Sequence, residues 1–137
     1  MPYQPRVAIL VPAPDYEESW PPAFARKAAA LASAGLAAEQ RVWTDFDLIL
    51  PLFAWGYQRD PARWYALLAR LEEEGRRVVN PVPVLRWNSD KAYLAELAAA
   101  GVAIVPTIEV EALDETSLAE VRARLEAEEL VIKPAIS

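Results

Sequence analysis

The sequence contains no cysteine and no histidine, and these two absences exclude most of the catalytic strategies open to a protein of 137 residues. Without cysteine there is neither a disulfide framework nor thiol chemistry. Without histidine the commonest general base and the commonest metal ligand are both missing, so neither a serine triad nor a zinc site is expected. A metal in such a protein would be a hard cation such as Mg²⁺, held by carboxylates and phosphates.

Basic residues are outnumbered by acidic ones, at 14 Lys and Arg against 20 Asp and Glu, which gives a formal net charge of −6. Nucleic acids and anionic membranes both need a basic surface, so neither is expected as a partner, although one local basic pocket is compatible with this balance. No apolar run reaches membrane-spanning length, and residues 1–6 lack a signal-peptide pattern. We therefore expect a cytoplasmic protein.

Glycine is scarce as well, with four residues in the chain. The glycine-rich loops that bind phosphate are absent: no G-x-G-x-x-G follows the first apolar run, and there is no G-x-x-x-x-G-K-[ST]. A dinucleotide-binding fold and a P-loop enzyme are therefore both disfavoured. Gly35, Gly75 and Gly101 each stand between a helix-like stretch and an apolar run, which is typical of the residue that ends a helix.

Short apolar runs alternate with stretches of helical period. Residues 7–11 and 48–53 are apolar at almost every position, which is typical of central parallel strands covered on both faces. Further apolar runs lie at residues 41–43, 77–79, 102–105 and 130–132, and helices are predicted over residues 24–34, from Pro61, over 92–100, and from Asp114 or Ser117. This alternation predicts an α/β fold with a doubly wound, mostly parallel sheet and helices on both faces.

Pro81 and Pro83 predict a break in the chain at residues 80–85, because proline interrupts both helices and central strands. We therefore expect an α/β domain over residues 1–84 and a second, incomplete α/β unit over residues 85–137. The last predicted strand of the second unit has no following partner in this sequence.

Two lysines occupy positions that do not favour stability. Lys91 stands at a predicted helix start, where a cation opposes the helix dipole by about 0.3–1 kcal/mol. Lys133 lies in a predicted apolar strand, where it must reach water or an anion. Both placements suit a phosphorylated ligand lying between the two ammonium groups. Taken singly, Lys91 is more typical of a solvated helix end, and Lys133 is equally typical of an edge strand protected against aggregation.

The segments around these lysines resemble, in order, the entry into an ATP-grasp domain. In that superfamily an aspartate–lysine pair opens a helix, a Gly-apolar-x-x-Pro-Thr segment follows, and a strand then carries Lys-Pro. This chain has Asp90-Lys91 with Tyr93-Leu94, then residues 101–107, then Lys133-Pro134. With Asn80-Pro81 and Trp87-Asn88 ahead of them, the set is most similar to the glutathione-synthetase-like and RimK-like ligases.

The resemblance implies that residues 1–84 form a pre-ATP-grasp domain and that residues 85–137 begin the ATP-grasp domain. It implies an ATP- and Mg²⁺-dependent ligase that joins a small-molecule carboxylate to an amine through an acyl phosphate. Lys91 and Lys133 would contact the ATP phosphates. In the family the adenine-binding strand, the Mg²⁺-binding acids and the arginine on the acyl phosphate come later, so no catalytic residue and no metal ligand is assigned here. We expect the 137-residue chain alone to be inactive and to bind ATP weakly or not at all.

An alternative from a different class is a free-standing, non-catalytic α/β binding or interaction module. Two loops are candidate ligand contacts for either function: Trp55-Gly56-Tyr57 and Pro14-Asp15-Tyr16. Each follows a predicted strand, at the edge where open α/β sheets bind ligands, although ordinary packing is the favoured interpretation of each loop.

The end of the sequence predicts self-association. A final strand without a partner, next to the apolar stripe Leu118, Val121 and Leu125, favours pairing with a second copy of the chain. We therefore expect a homodimer through residues 114–137, with fraying or folding back as the other physical outcomes.

Overall fold

The computed structural model describes residues 6–12, Tyr16, residues 20–34, 37–39 and 46–137. The strands are β1 (Arg6–Ile9), β2 (Ala37–Glu39) and β3 (Leu48–Leu50), and the helices are α1 (Pro21–Ser33), α2 (Pro61–Glu73), α3 (Val82–Asn88), α4 (Tyr93–Ala99) and α5 (Glu115–Leu125). Contacts divide the chain into two compact units, one ending at Arg86 and one beginning at Trp87.

The sheet belongs to the first unit, and its described strands are parallel in the order β2-β1-β3. Val7 pairs with Leu48, so the two consecutive apolar runs of the sequence are adjacent parallel strands, as predicted. A further parallel bridge joins Ile49 to Val78, where the sequence predicted another strand. The predicted run at residues 41–43 lies outside the described residues.

Both faces of β1 are buried. Successive side chains of a strand point to opposite faces of the sheet, yet Val7, Ala8 and Ile9 are all 3% exposed or less. Ala8 and Ile49 belong to a core cluster with Leu68 and Leu71 of α2, so this helix covers one face of the sheet. The mixed helix–strand architecture with parallel strands agrees with the predicted α/β class.

Helix α2 begins where the sequence predicts. The Asp60 side chain accepts a hydrogen bond from the Arg63 backbone N–H at 3.0 Å, and Pro61 occupies the first turn, where its missing N–H costs nothing. Gly75 and Gly101 follow α2 and α4 with positive φ, as the predicted helix stops require.

Pro81 and Pro83 do not prevent helical structure at residues 80–85 as predicted, because helix α3 begins there at Val82. Pro83 lies in the first turn of α3, the part of a helix that tolerates proline. Val82 and Leu85 are buried in the core of the first unit.

Two strands predicted for the second unit do not form. Residues 102–105 and 130–132 join no ladder, and Val105 and Val131 are 82% and 85% exposed. An extended segment becomes a strand only when a neighbour accepts and donates its backbone hydrogen bonds. In the described part of the second unit, the one such bridge is antiparallel and joins Asp90 to Ile136. Lys133 therefore lies in an irregular segment and not in a strand.

Helix α5 begins with a capping box at Asp114, one of the two starts predicted from the sequence. Asp114 is the N-cap residue: its carboxylate accepts from the Ser117 backbone N–H at 2.7 Å, and the Ser117 hydroxyl accepts from the Asp114 N–H at 2.9 Å. Ser117 is thus already inside the helix. Among the described residues, no helix is both long enough and apolar enough to cross a membrane.

The burial of α2 predicts that Leu68→Ala will destabilise the first unit. The Leu68 side chain is fully buried, so its removal should lower the free energy of unfolding by about 2–5 kcal/mol through lost burial and a cavity. Leu52→Ala is the control, because Leu52 is 47% exposed and should lose much less. Urea denaturation of both variants measures the difference, and equal losses would contradict this placement of α2.

Candidate functional site

Lys91 lies in the turn that precedes α4. Asp90 shapes this turn, since its carboxylate accepts a hydrogen bond from the Ala92 backbone N–H at 2.9 Å. The sequence predicted Lys91 within the first helical turn, whereas α4 begins two residues later, at Tyr93. Lys91 is half-buried here, and its environment is set by a second segment of the chain.

The second segment is residues 135–137, which run antiparallel to residues 89–91. The Lys91 backbone N–H donates to the Ala135 carbonyl at 2.7 Å, and the Ser137 N–H donates to the Ser89 carbonyl at 3.1 Å. The Lys91 ammonium also donates to the Ser137 carbonyl. Because this pairing ends one residue from Pro134, it brings Lys133 to the neighbourhood of Lys91.

The electrostatics record this proximity. Burial lowers the pKa of Lys91 below its ordinary value, repulsion from the Lys133 ammonium lowers that pKa further, and the Asp90 carboxylate raises it. Two ammonium groups close enough to shift a pKa repel each other, and an anion bound between them relieves the repulsion. The structure therefore brings together the two lysines that the sequence singled out; their contact with ATP stays a prediction.

Aromatic residues on either side of the Lys91 turn pack against each other. The Trp87 indole N–H donates to the Glu96 carboxylate at 2.6 Å, and the Trp87 ring lies 4.9 Å from the Tyr93 ring. These contacts connect the end of α3 to α4 on either side of the Lys91 turn. Ser89, between them, is 1% exposed.

A cavity in the first unit is lined by residues that are separate in sequence from the lysines. It measures about 550 Å³, within the range of small-molecule sites. Residues 10–12, after β1, and residues 54–57, after β3, form one side of it, and residues of the first turns of α2 form the other. The cavity thus lies at the carboxyl ends of parallel strands, where α/β proteins place ligands.

The Tyr16 ring and the Arg59 guanidinium pack against each other beside this cavity. Arg59 lies over the Tyr16 ring, 4.6 Å from its centroid. Gly56 permits the arrangement, because its φ is +86° and a Cβ at this position would come within 2.7 Å of the Tyr16 ring. Tyr16 and Gly56 come from the two loops that the sequence marked as possible ligand contacts, and both line the cavity. Pro14 and Asp15 lie outside the described residues.

The opposite side of the cavity is formed by the start of α2. Asp60 and Arg63 line it, with Trp64 below them. The Trp64 ring stacks on Tyr57 at 4.9 Å between centroids and an interplanar angle of 20°. Among the described residues, neither Arg59 nor Arg63 forms an ion pair with a carboxylate.

Sequence reasoning did not identify Arg59, Asp60 and Arg63 as lining residues. In this region the sequence predicts only a helix that starts at Pro61. The signal that points to all three is their position between β3 and α2, since the residues that follow a parallel strand and begin the next helix face the ligand-binding edge of the sheet.

Metal ligands are not collected in the described part of the chain, where no three Asp or Glu side chains approach one another as a metal site requires. The two lysines, in contrast, provide the donor chemistry that phosphate oxygens accept.

Comparison with known proteins relates this chain to one family by sequence and by fold. The family of the N-terminal domain of D-cycloserine synthetase DcsG matches residues 7–80. The cycloserine biosynthesis protein DcsG of Streptomyces lavendulae is 38% identical over 96 residues, which are 67% of this chain and 31% of that protein. The crystal structure of D-cycloserine synthetase DcsG matches with a TM-score of 0.69 and 28% identity, over 96% of this chain and 46% of that one.

The chain thus spans less than half the length of the relatives it matches. The family match nevertheless covers more than half of this chain and includes β1, β3 and α2, the elements that enclose the cavity. The protein belongs to the family of D-cycloserine synthetase DcsG N-terminal domains.

Proposed function

We propose that this chain is the N-terminal portion of an ATP-dependent carboxylate–amine ligase of the ATP-grasp class, similar to glutathione synthetase and RimK. The observation that carries the proposal is the pairing of residues 89–91 with residues 135–137, which brings Lys133 near Lys91. Burial lowers the pKa of Lys91, and the charge of Lys133 lowers it further. The family supports a biosynthetic role, because the matched relatives are named as a synthetase and as a biosynthesis protein.

The task of the two lysines is to bind phosphate oxygens and to stabilise negative charge. In phosphoryl transfer to a carboxylate, charge accumulates on the transferred group, and fixed cations lower the energy of that state. Lys91 is oriented by the backbone pairing with Ala135 and by its bond to the Ser137 carbonyl. An ammonium group has three donors, so Lys91 can bind a phosphate oxygen while it keeps this bond. Mg²⁺ would neutralise further charge, with its acidic ligands outside the residues described here.

The proposal also extends to the fold. The strand order β2-β1-β3, with the bridge from Ile49 to Val78 beyond β3, is compatible with a doubly wound sheet that has helices on both faces. In the proposed protein, residues 1–84 act as a pre-ATP-grasp domain, and residues 85–137 begin the ATP-grasp domain. Residues 102–105 and 130–132 would become strands when they gain neighbours that satisfy their backbone.

The proximity of the two lysines predicts that Lys133→Ala will raise the pKa of Lys91. Removing the Lys133 charge leaves burial as the main cause of the depression, so the Lys91 pKa should move towards its ordinary value without reaching it. NMR titration of the lysine side chains measures this shift, and Lys27→Ala on α1 serves as the control. An unchanged Lys91 titration in Lys133→Ala would show that the two ammonium groups are not neighbours.

The ligase proposal predicts that the whole gene product releases ADP when it joins a carboxylate to an amine. Lys91→Ala and Lys133→Ala should each raise the KM for ATP about 10- to 100-fold, since a hydrogen bond to a charged group contributes about 1.5–3 kcal/mol. Lys27→Ala should leave the KM unchanged.

A second measurement separates the ligase from a non-catalytic module. Isothermal titration of the 137-residue chain with Mg-ATP should show weak or no binding. Tight binding by this chain, or a whole gene product that never consumes ATP with any carboxylate and amine pair, would contradict the proposal.

The exposed apolar side chains near the end of the sequence support a homodimer through residues 114–137. Val131 is 85% and Ile132 is 58% exposed, and their segment has no strand partner. Sedimentation should show a dimer for the chain and a monomer for Val131→Ser/Ile132→Ser, with Val102→Ser as a control. If the unsubstituted chain sediments as a monomer, residues 114–137 are not a dimer interface.

A further inference from the structure

The described residues that line the cavity of the first unit are net basic, in a protein that is negatively charged as a whole. Among them Arg59 and Arg63 are basic and Asp60 is acidic. These described lining residues carry a formal charge of about +1, whereas the chain carries −6. Arginines beside a cavity can recognise anions, because the planar guanidinium donates two parallel hydrogen bonds to a carboxylate.

The arrangement favours a monoanion over a phosphate. Asp60 lines the same cavity and would repel a second negative charge on the ligand. The loop after β1 is Val11-Pro12 followed by Ala-Pro-Asp-Tyr16, without the glycines whose backbone N–H groups cradle phosphates. Leu10 and Leu67 contribute apolar walls, which a hydrated dianion would not contact favourably.

The remaining wall is aromatic. Tyr16, Trp55, Tyr57 and Trp64 line the cavity, and the stacking of Tyr57 on Trp64 fixes the position of two of these rings. Aromatic faces contribute contact area to a flat, partly apolar ligand. One such ring, Tyr16, also holds the Arg59 guanidinium in place, so the anion-binding group and the aromatic wall are parts of one structure.

We propose that this cavity binds a small monocarboxylate with a flat or apolar body, whose carboxylate is held by Arg59 and Arg63 and whose body packs on the aromatic wall. The site goes beyond the ligase proposal, which rests on two lysines of the second unit. It also explains the glycine at position 56, since only a residue without a Cβ leaves room for Tyr16 to support Arg59.

The test uses benzoate as the probe, benzamide as its neutral counterpart and inorganic phosphate as the competing anion. In ¹⁵N NMR spectra of the 137-residue chain without nucleotide, benzoate should shift the backbone resonances of Gly56 and Arg59 and the indole resonance of Trp64. Arg63→Gln and Arg59→Gln should each weaken benzoate binding about 10-fold or more, in keeping with about 1.5–3 kcal/mol for a charged hydrogen bond.

The control variant is Arg26→Gln, which removes the same charge from an exposed position on α1 and should leave benzoate affinity unchanged. Benzamide should bind the three arginine variants and the unsubstituted chain equally. Gly56→Ala should lose benzoate binding while the spectrum of β1 and α2 is retained. Equal benzoate affinity in Arg63→Gln and Arg26→Gln, shifts confined to other residues, or displacement of benzoate by millimolar phosphate would overturn the proposal. Mg-ATP is absent, so these results leave the lysine proposal to its own test.

Discussion

The burial of β1 on both faces is the constraint on which the first unit depends. Val7, Ala8 and Ile9 have no solvated side, so the strand needs a parallel neighbour on each edge and cover above and below. A parallel sheet directs all its strands the same way, and the loops that follow β1 and β3 therefore meet at one edge. The cavity at that edge is a consequence of this topology. Its chemistry is then decided by the residues that happen to occupy the loops.

A different constraint organises the second unit, where backbone pairing replaces a sheet. Residues 89–91 and 135–137 are far apart in sequence, and two backbone hydrogen bonds join them. Closing a loop of this length costs conformational entropy that these bonds and the burial of Ser89 must offset. The same closure places Lys133 near Lys91 and so creates an electrostatic penalty. Perturbed pKa values cluster at functional sites, so the pair is a better functional candidate than either lysine alone.

Elements that depend on neighbouring residues were predicted from the sequence. Elements that depend on tertiary contacts were not. The Asp60-Pro61 pair predicts the start of α2 correctly because capping involves only neighbouring residues. Pro83 led to the wrong expectation because its effect depends on its position within a helix, which the sequence does not reveal. The expected strand around Lys133 requires a partner, and none lies beside it in the described residues. The cavity could not be predicted in full because Arg59 reaches Tyr16 only after the sheet has formed.

The chain has a negative net charge, whereas its candidate sites are basic. Each of these charges affects which ligands are expected. Charges separated by more than about 8–10 Å are screened at physiological ionic strength, so a small ligand responds to the few groups around it. A polyanion such as DNA covers a large surface and responds to the whole field, which is negative here. We therefore expect the lysine pair and the arginine-lined cavity to suit small anions even in an acidic protein. We expect the negative field of the whole chain to disfavour large anionic partners.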